Sequence, residues 1–197
     1  MSDSQLTVSF LVRACRLLYR NRFVRGSQGN ASMRLSLDRI LIKPSEKSFR
    51  DLKASDLISV DMNRQVVEGS GKPSVETPFH LAIYKARHDV NVILHSHPLN
   101  VIIFSLRGHP LQLLEVERGV NTVPIVEYKK PGSADLASAI SRKIRTHNAV
   151  ILAKHGLVTV GKTVADAYDL TEVIEMNAEI QNRLYFPSSN FPRRTLS

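Results

Sequence analysis

The stretch that decides the fold runs from Lys72 to Pro98 and reads KPSVETPFHLAIYKARHDVNVILHSHP. Its first half predicts a helix over residues 76–88, because apolar side chains recur at helical spacing and Pro78 is tolerated only in a first helical turn. Residues 90–94 are apolar and predict a buried strand. Since this strand leads directly into His95-Ser96-His97, we expect a core strand that ends in two histidines.

Short strands are predicted upstream of this stretch. An amphipathic helix is expected first, over residues 5–20, where apolar side chains again recur at helical spacing. Alternating patterns separated by turn residues then predict a series of antiparallel strands, at 31–35, 39–42, 57–60 and 65–67. The central sheet is therefore expected to begin before the histidine strand.

Helices and strands are mixed downstream. Strands are predicted at 149–153 and 157–160, on either side of His155, and the apolar run 111–116 is a candidate for a subunit interface. Helices are predicted over residues 98–106, 134–145 and 163–184. Ser133 is the expected N-cap of the second of these helices, and Thr163 is the expected N-cap of the third. This order of elements favours an α+β fold with a mainly antiparallel sheet covered by helices.

Length and composition bound the function classes. The 197 residues are expected to form a single domain, with residues 187–197 as a flexible or partner-dependent tail. A net charge of +9 is compatible with nucleic acid or a small anion, but the basic residues are dispersed and there is no Trp, which argues against nucleic acid. Neither an apolar run of membrane-spanning length nor a signal peptide is present, so a cytoplasmic protein is expected. The single cysteine, Cys15, is expected to be a buried apolar thiol.

Three histidines are the strongest chemical signal. Side chains two apart on a strand project from the same face, so His95 and His97 can reach one point. His155 also follows an apolar strand, and three imidazoles suit zinc or another divalent metal with one position left open. The alternative is that these are polar residues at strand ends.

Glu76 lies where the chain enters the predicted helix of residues 76–88. A carboxylate there could be a metal ligand or a general base beside the metal. The alternative is structural, because a helix dipole favours Glu in the first turn in any case. His80 follows four residues later on an apolar segment and is interpreted as a core histidine.

Three short segments are candidate anion sites: 26–30 (GSQGN), 43–45 (KPS) and 71–74 (GKPS). Each offers backbone N–H groups beside a hydroxyl or amide, and two add a lysine, as a phosphate requires. Each is also an ordinary turn. Their number, together with the basic excess, favours phosphate.

Four segments in the same order resemble the class II aldolase/adducin family over about residues 5–185. They are GNAS at 29–32, IKPSEKSFRDLKASDLISVD at 42–61, the stretch at 72–98, and AKHGLVTVGKTVADAYDLTEVIE at 153–175. The resemblance implies a three-layer α/β/α domain. It also implies a homo-oligomer, with a tetramer favoured and active sites between subunits.

The resemblance also implies a site. The family's zinc ligands fall on His95, His97 and His155, with one Zn²⁺ per subunit, and its catalytic acidic residue falls on Glu76. Tyr128 aligns with a tyrosine that reaches in from a neighbouring subunit as proton donor. The family's phosphate site maps to Ser27, Gly29, Asn30, Ser45 and Ser74.

Two residues depart from the family pattern and weaken this phosphate assignment, since Glu46 replaces a glycine and Val75 replaces a serine.

The implied activity is reversible cleavage of a ketose 1-phosphate, of the L-fuculose 1-phosphate type, to dihydroxyacetone phosphate and an aldehyde through a metal-stabilised enediolate. A sugar-phosphate 4-epimerase or a metal-dependent decarboxylase would use the same parts. An adducin-like binding module would keep the fold without the metal. The presence of Glu76 and all three histidines argues against that last alternative.

Overall fold

A computed structural model describes residues 3–117 and 119–185, so the predicted tail at 187–197 lies outside the described residues. Its helices are α1 (Asp3–Arg20), α2 (Thr77–Ala86), α3 (Leu99–Ser105), α4 (Ala134–Ile144) and α5 (Val164–Tyr185). Its strands are β1 (Asn30–Arg34), β2 (Arg39–Ile42), β3 (Ile58–Asp61), β4 (Val66–Glu68), β5 (Val92–Ser96), β6 (Leu111–Glu117), β7 (Val120–Val123), β8 (Ile125–Val126), β9 (Ala149–Leu152) and β10 (Gly156–Gly161). Two short 3-10 helices cover Phe49–Asp51 and Ala54–Asp56.

Eight of these strands form one sheet in the order β4-β3-β2-β1-β5-β10-β9-β8. Every neighbouring pair is antiparallel except β8 and β9, which are parallel. The histidine strand β5 lies near the centre, with Asn30 of β1 opposite His95 on one side and Val158 of β10 opposite His95 on the other. The predicted α+β fold with a mainly antiparallel sheet is confirmed.

Helices cover both faces of the sheet because side chains alternate along each strand. On β9, Val150 and Leu152 pack in the core shared with α2 and α4, whereas Ala149 and Ile151 pack in the core shared with α3 and α5. Helix α1 covers the second face around β1 and β5. The three layers that result place α2 directly over the face on which His95 lies.

The helices begin where the capping residues predict. Ser133 accepts a hydrogen bond from the Leu136 amide at the start of α4. Thr163 and Asp166 cap α5 reciprocally, since each side chain accepts from the other residue's backbone amide. Pro78 lies in the first turn of α2. Among the described helices, none combines the length and the apolar character that crossing a membrane requires.

The region of residues 111–123 differs from the sequence analysis. The run 111–116 received no secondary structure there, but it belongs to β6, which pairs with β7 in a separate two-stranded hairpin. Leu111 and Leu113 are buried in the core around α5, so these two side chains stabilise the chain itself. The pattern LQLLEVE lacks strict alternation and the pairing register shifts between Gln112 and Glu117, which explains why a period of two was not detected.

We expect Cys15 to resist thiol reagents at about pH 8 until the protein unfolds. Its side chain has no exposed surface, and burial raises the pKa of the thiol to about 12. Labelling followed by mass spectrometry across a denaturant series should therefore report global unfolding. The variant Ser138→Cys, which adds a thiol at an exposed position of α4, should label at once without denaturant. Rapid labelling of Cys15 in the native protein would contradict the packing described here.

Candidate metal centre and active site

Three histidine side chains meet at the end of β5. His95 Nε2 lies 3.0 Å from His97 Nε2 and 3.3 Å from His155 Nε2. Donor atoms of a tetrahedral zinc site, each about 2.0–2.1 Å from the metal, are about 3.3 Å apart. His97 is held just beyond the strand by a hydrogen bond from its amide to the Phe23 carbonyl. Both distances from His95 therefore match those between ligands of one ion, and all three donor atoms lie within 4.8 Å of one another.

The protonation of these rings suits a metal. His95 Nδ1 lies 3.0 Å from the Leu157 carbonyl and donates to it, which leaves the lone pair of His95 on Nε2, facing the other two rings. Burial lowers the pKa of His97 to about 3 and that of His155 to about 4, so both imidazoles are neutral at neutral pH. Three lone pairs that face one point repel each other without a cation, so the donor set fits a divalent metal.

Glu76 supplies a fourth acceptor at the same point. Its Oε2 lies 3.1 Å from His95 Nε2, and its Oε1 lies 3.7 Å from His155 Nε2. Burial by itself raises the pKa of this carboxyl, but His95, His155 and the Asn30 amide together hold it well below its usual range. The side chain is 5% exposed, and Oε1 accepts no hydrogen bond from the described residues. An ionised carboxylate with one unused oxygen thus lies beside the three imidazoles.

Gly156 allows the three histidines to come together. A Cβ atom there would lie 2.3 Å from the Ser96 carbonyl, 3.0 Å from His97 Cδ2 and 3.2 Å from His95 Cε1. The preceding Lys154 has a φ of 60°, so the chain turns tightly before it enters β10. Sequence spacing does not reveal this requirement, because it arises from β5 packing against the turn between β9 and β10.

We expect Gly156→Ala to weaken zinc binding by about 10–100-fold, since the methyl group displaces rings that must hold the metal in a fixed geometry. Isothermal titration with Zn²⁺ measures the change. Ser138→Ala is the control, because it changes an exposed position in the middle of α4, a favourable place for alanine. Equal zinc affinity in Gly156→Ala and the wild type would show that this close approach does not control the centre.

The three candidate anion segments form one structure. Pro44 and Pro73 form a bridge, the Ser45 amide donates to the Lys72 carbonyl, and the Ser74 amide donates to the Lys43 carbonyl. The buried Lys43 ammonium then donates to the carbonyls of Ser27 at 3.1 Å and Lys47 at 2.6 Å. Burial lowers the pKa of Lys43 to about 8. A positive charge therefore holds together the loops that carry Ser27, Ser45 and Ser74.

Four of the five predicted phosphate residues also have structural roles within the chain. Gly29 has a φ of 72°, and a Cβ atom there would lie 2.8 Å from the His95 carbonyl, so the glycine allows β1 to approach β5. The Asn30 side chain faces α2 and contacts Glu76 and His80, so its amide is already engaged within the chain. Ser45 Oγ donates to the Pro73 carbonyl, and Ser74 Oγ accepts from the Glu76 amide.

Glu46 and Val75, the two residues that differ from the family pattern, are both exposed to solvent. Glu46 is exposed and has a φ of 63°, the left-handed conformation that glycine adopts most easily. Val75 is 66% exposed. Because the Glu46 carboxylate is exposed to solvent, its charge is screened from an anion held by the loops.

Tyr128 is not among the residues that contact Glu76 or the histidines within the described part of the chain. Its side chain is 60% exposed. The loop that carries it lies against the Glu76 loop, since a Cβ atom at Gly132 would be 2.8 Å from the Val75 carbonyl. The single chain therefore presents Tyr128 to its surroundings and not to its own histidines.

Glu175 is a supporting residue for which the sequence analysis assigned no role. Its buried carboxylate accepts from the backbone amides of Asn100 and Val101 and from the Asn100 side chain, each at 3.0 Å. It thereby caps α3, the helix that begins two residues after His97. Helix α5 brings this carboxylate to α3 from 75 positions away in sequence, so no local spacing could indicate the contact.

Comparison with known proteins agrees with the architecture. Residues 10–182 match the family described as the Class II Aldolase and Adducin N-terminal domain, and the chain belongs to that family. A protein from Methanococcus maripaludis named L-fuculose phosphate aldolase is 36% identical over 171 residues, which cover 86% of this chain and 92% of that protein.

Other relatives carry a different activity. The protein named 3-oxo-tetronate 4-phosphate decarboxylase from Haemophilus influenzae is 32% identical, over 86% of this chain and 84% of its own length. The solved structure of YgbL from Klebsiella pneumoniae, described with aldolase, epimerase and decarboxylase as its candidate activities, has 30% identity and a TM-score of 0.83. That match covers 100% of this chain and 96% of YgbL. The family match and the named relatives together support a class II aldolase, and the relatives' names specify more than one substrate.

Proposed function

We propose that this protein is a zinc-dependent aldolase that reversibly cleaves a ketose 1-phosphate, of the L-fuculose 1-phosphate type, to dihydroxyacetone phosphate and an aldehyde. One observation carries the proposal. Three imidazoles and a buried carboxylate meet at one point. The resemblance to named aldolases supports the choice of reaction. We further propose a cytoplasmic single-domain enzyme that assembles as a homotetramer.

His95, His97 and His155 would hold the zinc ion through their Nε2 atoms. When bound, the ion supplies positive charge opposite the oxygen on which negative charge develops as the C3–C4 bond breaks. The rings are already gathered to bind it, because His95 Nε2 lies 3.0 Å from His97 Nε2 and 3.3 Å from His155 Nε2, and all three donor atoms lie within 4.8 Å of one another. Preorganisation of this kind lowers the cost of reaching the transition state.

Glu76 moves the proton at C3. In the direction of synthesis, the carboxylate takes a proton from C3 of dihydroxyacetone phosphate, and that carbon then attacks the aldehyde carbonyl. The new C4 oxygen takes its proton from the Tyr128 hydroxyl of a neighbouring subunit. Cleavage is the reverse, so C3 is protonated by Glu76 after the bond breaks. Glu76 is ionised at neutral pH, so its carboxylate has a lone pair to accept this proton.

The joined loops would bind the substrate phosphate. Lys43 is protonated below about pH 8 and brings its charge behind the loops that carry Ser27, Ser45 and Ser74. The Ser45 hydroxyl and the Ser45 and Ser74 amides already donate to carbonyls within the loops. The Ser74 hydroxyl, which accepts from the Glu76 amide, keeps its own hydrogen for a phosphate oxygen, and the exposed Ser27 adds a second hydroxyl. Gly29 and Asn30 shape this site through the backbone that they fix between Ser27 and β5.

We expect Glu76→Gln to lower the rate of deuterium exchange at C3 of dihydroxyacetone phosphate by about 10²–10⁴-fold, because the amide cannot accept the proton. Proton NMR in D₂O measures the exchange with zinc-loaded protein. A chelated wild-type sample tests the metal, and Glu68→Gln, an exposed glutamate on β4, is the matched control. Wild-type exchange in Glu76→Gln would remove Glu76 as the base.

The proposed role of Tyr128 requires two subunits. We expect Tyr128→Phe and Glu76→Gln homotetramers each to be inactive in aldol cleavage, and we expect mixing after co-refolding to restore activity at about a quarter of the sites. A complete site then pairs an intact Glu76 with an intact Tyr128 from the next subunit. No recovery in mixed assemblies would mean that Tyr128 acts within its own chain or not at all.

A decarboxylase is the second candidate. The observation that favours it is the Haemophilus influenzae relative, whose name specifies a phosphorylated keto acid and whose identity is close to that of the aldolases. Loss of carbon dioxide would leave negative charge at the same position as aldol cleavage, and Glu76 would again protonate it. Release of carbon dioxide from 3-oxo-tetronate 4-phosphate, without cleavage of L-fuculose 1-phosphate, would favour a decarboxylase over the aldolase. Exchange into dihydroxyacetone phosphate would not separate the two, because both reactions leave charge on the same carbon. A 4-epimerase would also use these residues and would be detected as inversion at C4 without net cleavage.

A further inference from the structure

A chain of buried polar side chains leads away from Glu76 between α2 and β1. Asn30 Nδ2 lies 2.9 Å from Glu76 Oε2, and Asn30 Oδ1 contacts His80 Nε2. His80 Nδ1 lies 2.7 Å from Ser32 Oγ, which lies 2.9 Å from the Tyr84 hydroxyl. All five side chains are buried, and His80, Ser32 and Tyr84 have no exposed surface. Asn30 and Ser32 share this face because they are two apart on β1.

The hydrogen atoms in this chain can be placed from the carboxylate outward. The Asn30 NH₂ group faces Glu76 Oε2 and donates to it, so the Asn30 carbonyl faces His80. His80 must then donate from Nε2, and its Nδ1 accepts from the Ser32 hydroxyl. Since the Ser32 hydrogen is used, Ser32 Oγ accepts from the Tyr84 hydroxyl at 2.9 Å, a closer acceptor for Tyr84 than the Asn91 carbonyl at 3.4 Å. Every donor therefore points toward Glu76.

His80 is held as a neutral ring with its proton on Nε2. Burial, with a smaller contribution from the nearby His95, lowers its pKa to about 3, so the ring does not charge at neutral pH. Phe79 stacks on the ring with centroids 4.4 Å apart, which fixes its plane. A neutral histidine has one donor and one acceptor, and both are used here.

We propose that His80 is a positioning residue that sets which end of the Asn30 amide faces Glu76. An amide is nearly symmetric in shape, and the reversed orientation would place its carbonyl oxygen against the carboxylate, where two acceptors repel each other. The Nε2–H group of His80 needs an acceptor, so it favours the orientation in which the Asn30 carbonyl faces His80 and the Asn30 NH₂ group faces Glu76. The Asn30 N–H then holds Oε2 of Glu76 and leaves Oε1 directed at the histidine cluster. The catalytic consequence rests on the proposed function of Glu76, whereas the orientation itself does not.

The first test is the tautomer of His80 in the metal-free wild type. Long-range proton–nitrogen NMR is expected to show a protonated Nε2 and an unprotonated Nδ1 from about pH 5.5 to 8. The His80→Gln spectrum provides the assignment. A proton on Nδ1, or a charged ring in this range, would overturn the proposal whatever reaction the enzyme catalyses.

The second test compares variants by deuterium exchange into dihydroxyacetone phosphate. His80→Phe keeps a ring but has no donor, so we expect the turnover of exchange to fall at least tenfold with KM and zinc content nearly unchanged. His80→Gln can again donate at the position of Nε2 and should recover most of the lost turnover. Thr171→Val is the matched control, since it removes a fully buried hydroxyl that contacts Thr159 on the opposite face of the sheet.

The outcomes separate the two proposals. If His80→Phe does not fold, Ser32→Ala removes the donor to Nδ1, and a shift of the His80 proton to Nδ1 with slower exchange would support the same inference. Wild-type turnover in both His80→Phe and Ser32→Ala would overturn it, as would a loss no greater than that of Thr171→Val. Absence of exchange in the wild type would refute the aldolase proposal and leave the NMR test of His80 intact.

Discussion

The structure depends on the convergence of four acceptor atoms at one point. Three imidazole lone pairs and a carboxylate oxygen repel each other in the absence of a cation, so the surrounding protein must hold them together. Strand β5 does so by delivering His95 from the middle of the sheet, and a hydrogen bond to the Phe23 carbonyl holds His97 just beyond the end of the strand. Gly156 leaves room for the rings, and Glu175 fixes the helix that begins after them.

Two layers of support surround this point and differ in chemistry. On the side of α2, neutral groups donate in one direction toward Glu76 and favour its charged form. On the side of the loops, the Lys43 ammonium binds backbone carbonyls and brings a positive charge to the region proposed for phosphate. The first arrangement orients a base, whereas the second arranges loops around an anion. Both are buried, so each must satisfy its own polar groups.

Much of the fold was predictable because the signals were local. Helical spacing, Pro78 in a first turn, and Ser133 as a cap correctly predicted helices, and apolar runs correctly predicted the strands around the histidines. The β6–β7 hairpin was missed because its pattern does not alternate and its register shifts. Whether a site residue such as Tyr128 contacts a neighbouring subunit is likewise no property of local pattern, and its role stays a prediction.

The sequence by itself determined the residue types and their positions at the ends of strands. The spacing of His95 and His97 predicted that both reach one point, because side chains two apart in extended backbone project from the same face. Only the tertiary structure decided that His155 and Glu76 reach the same point, that three separate turns join through Lys43, and that His80 is linked to Glu76 through Asn30. These contacts join residues far apart in sequence. They depend on strand order, on register and on the approach of helix to sheet, none of which is encoded in local spacing.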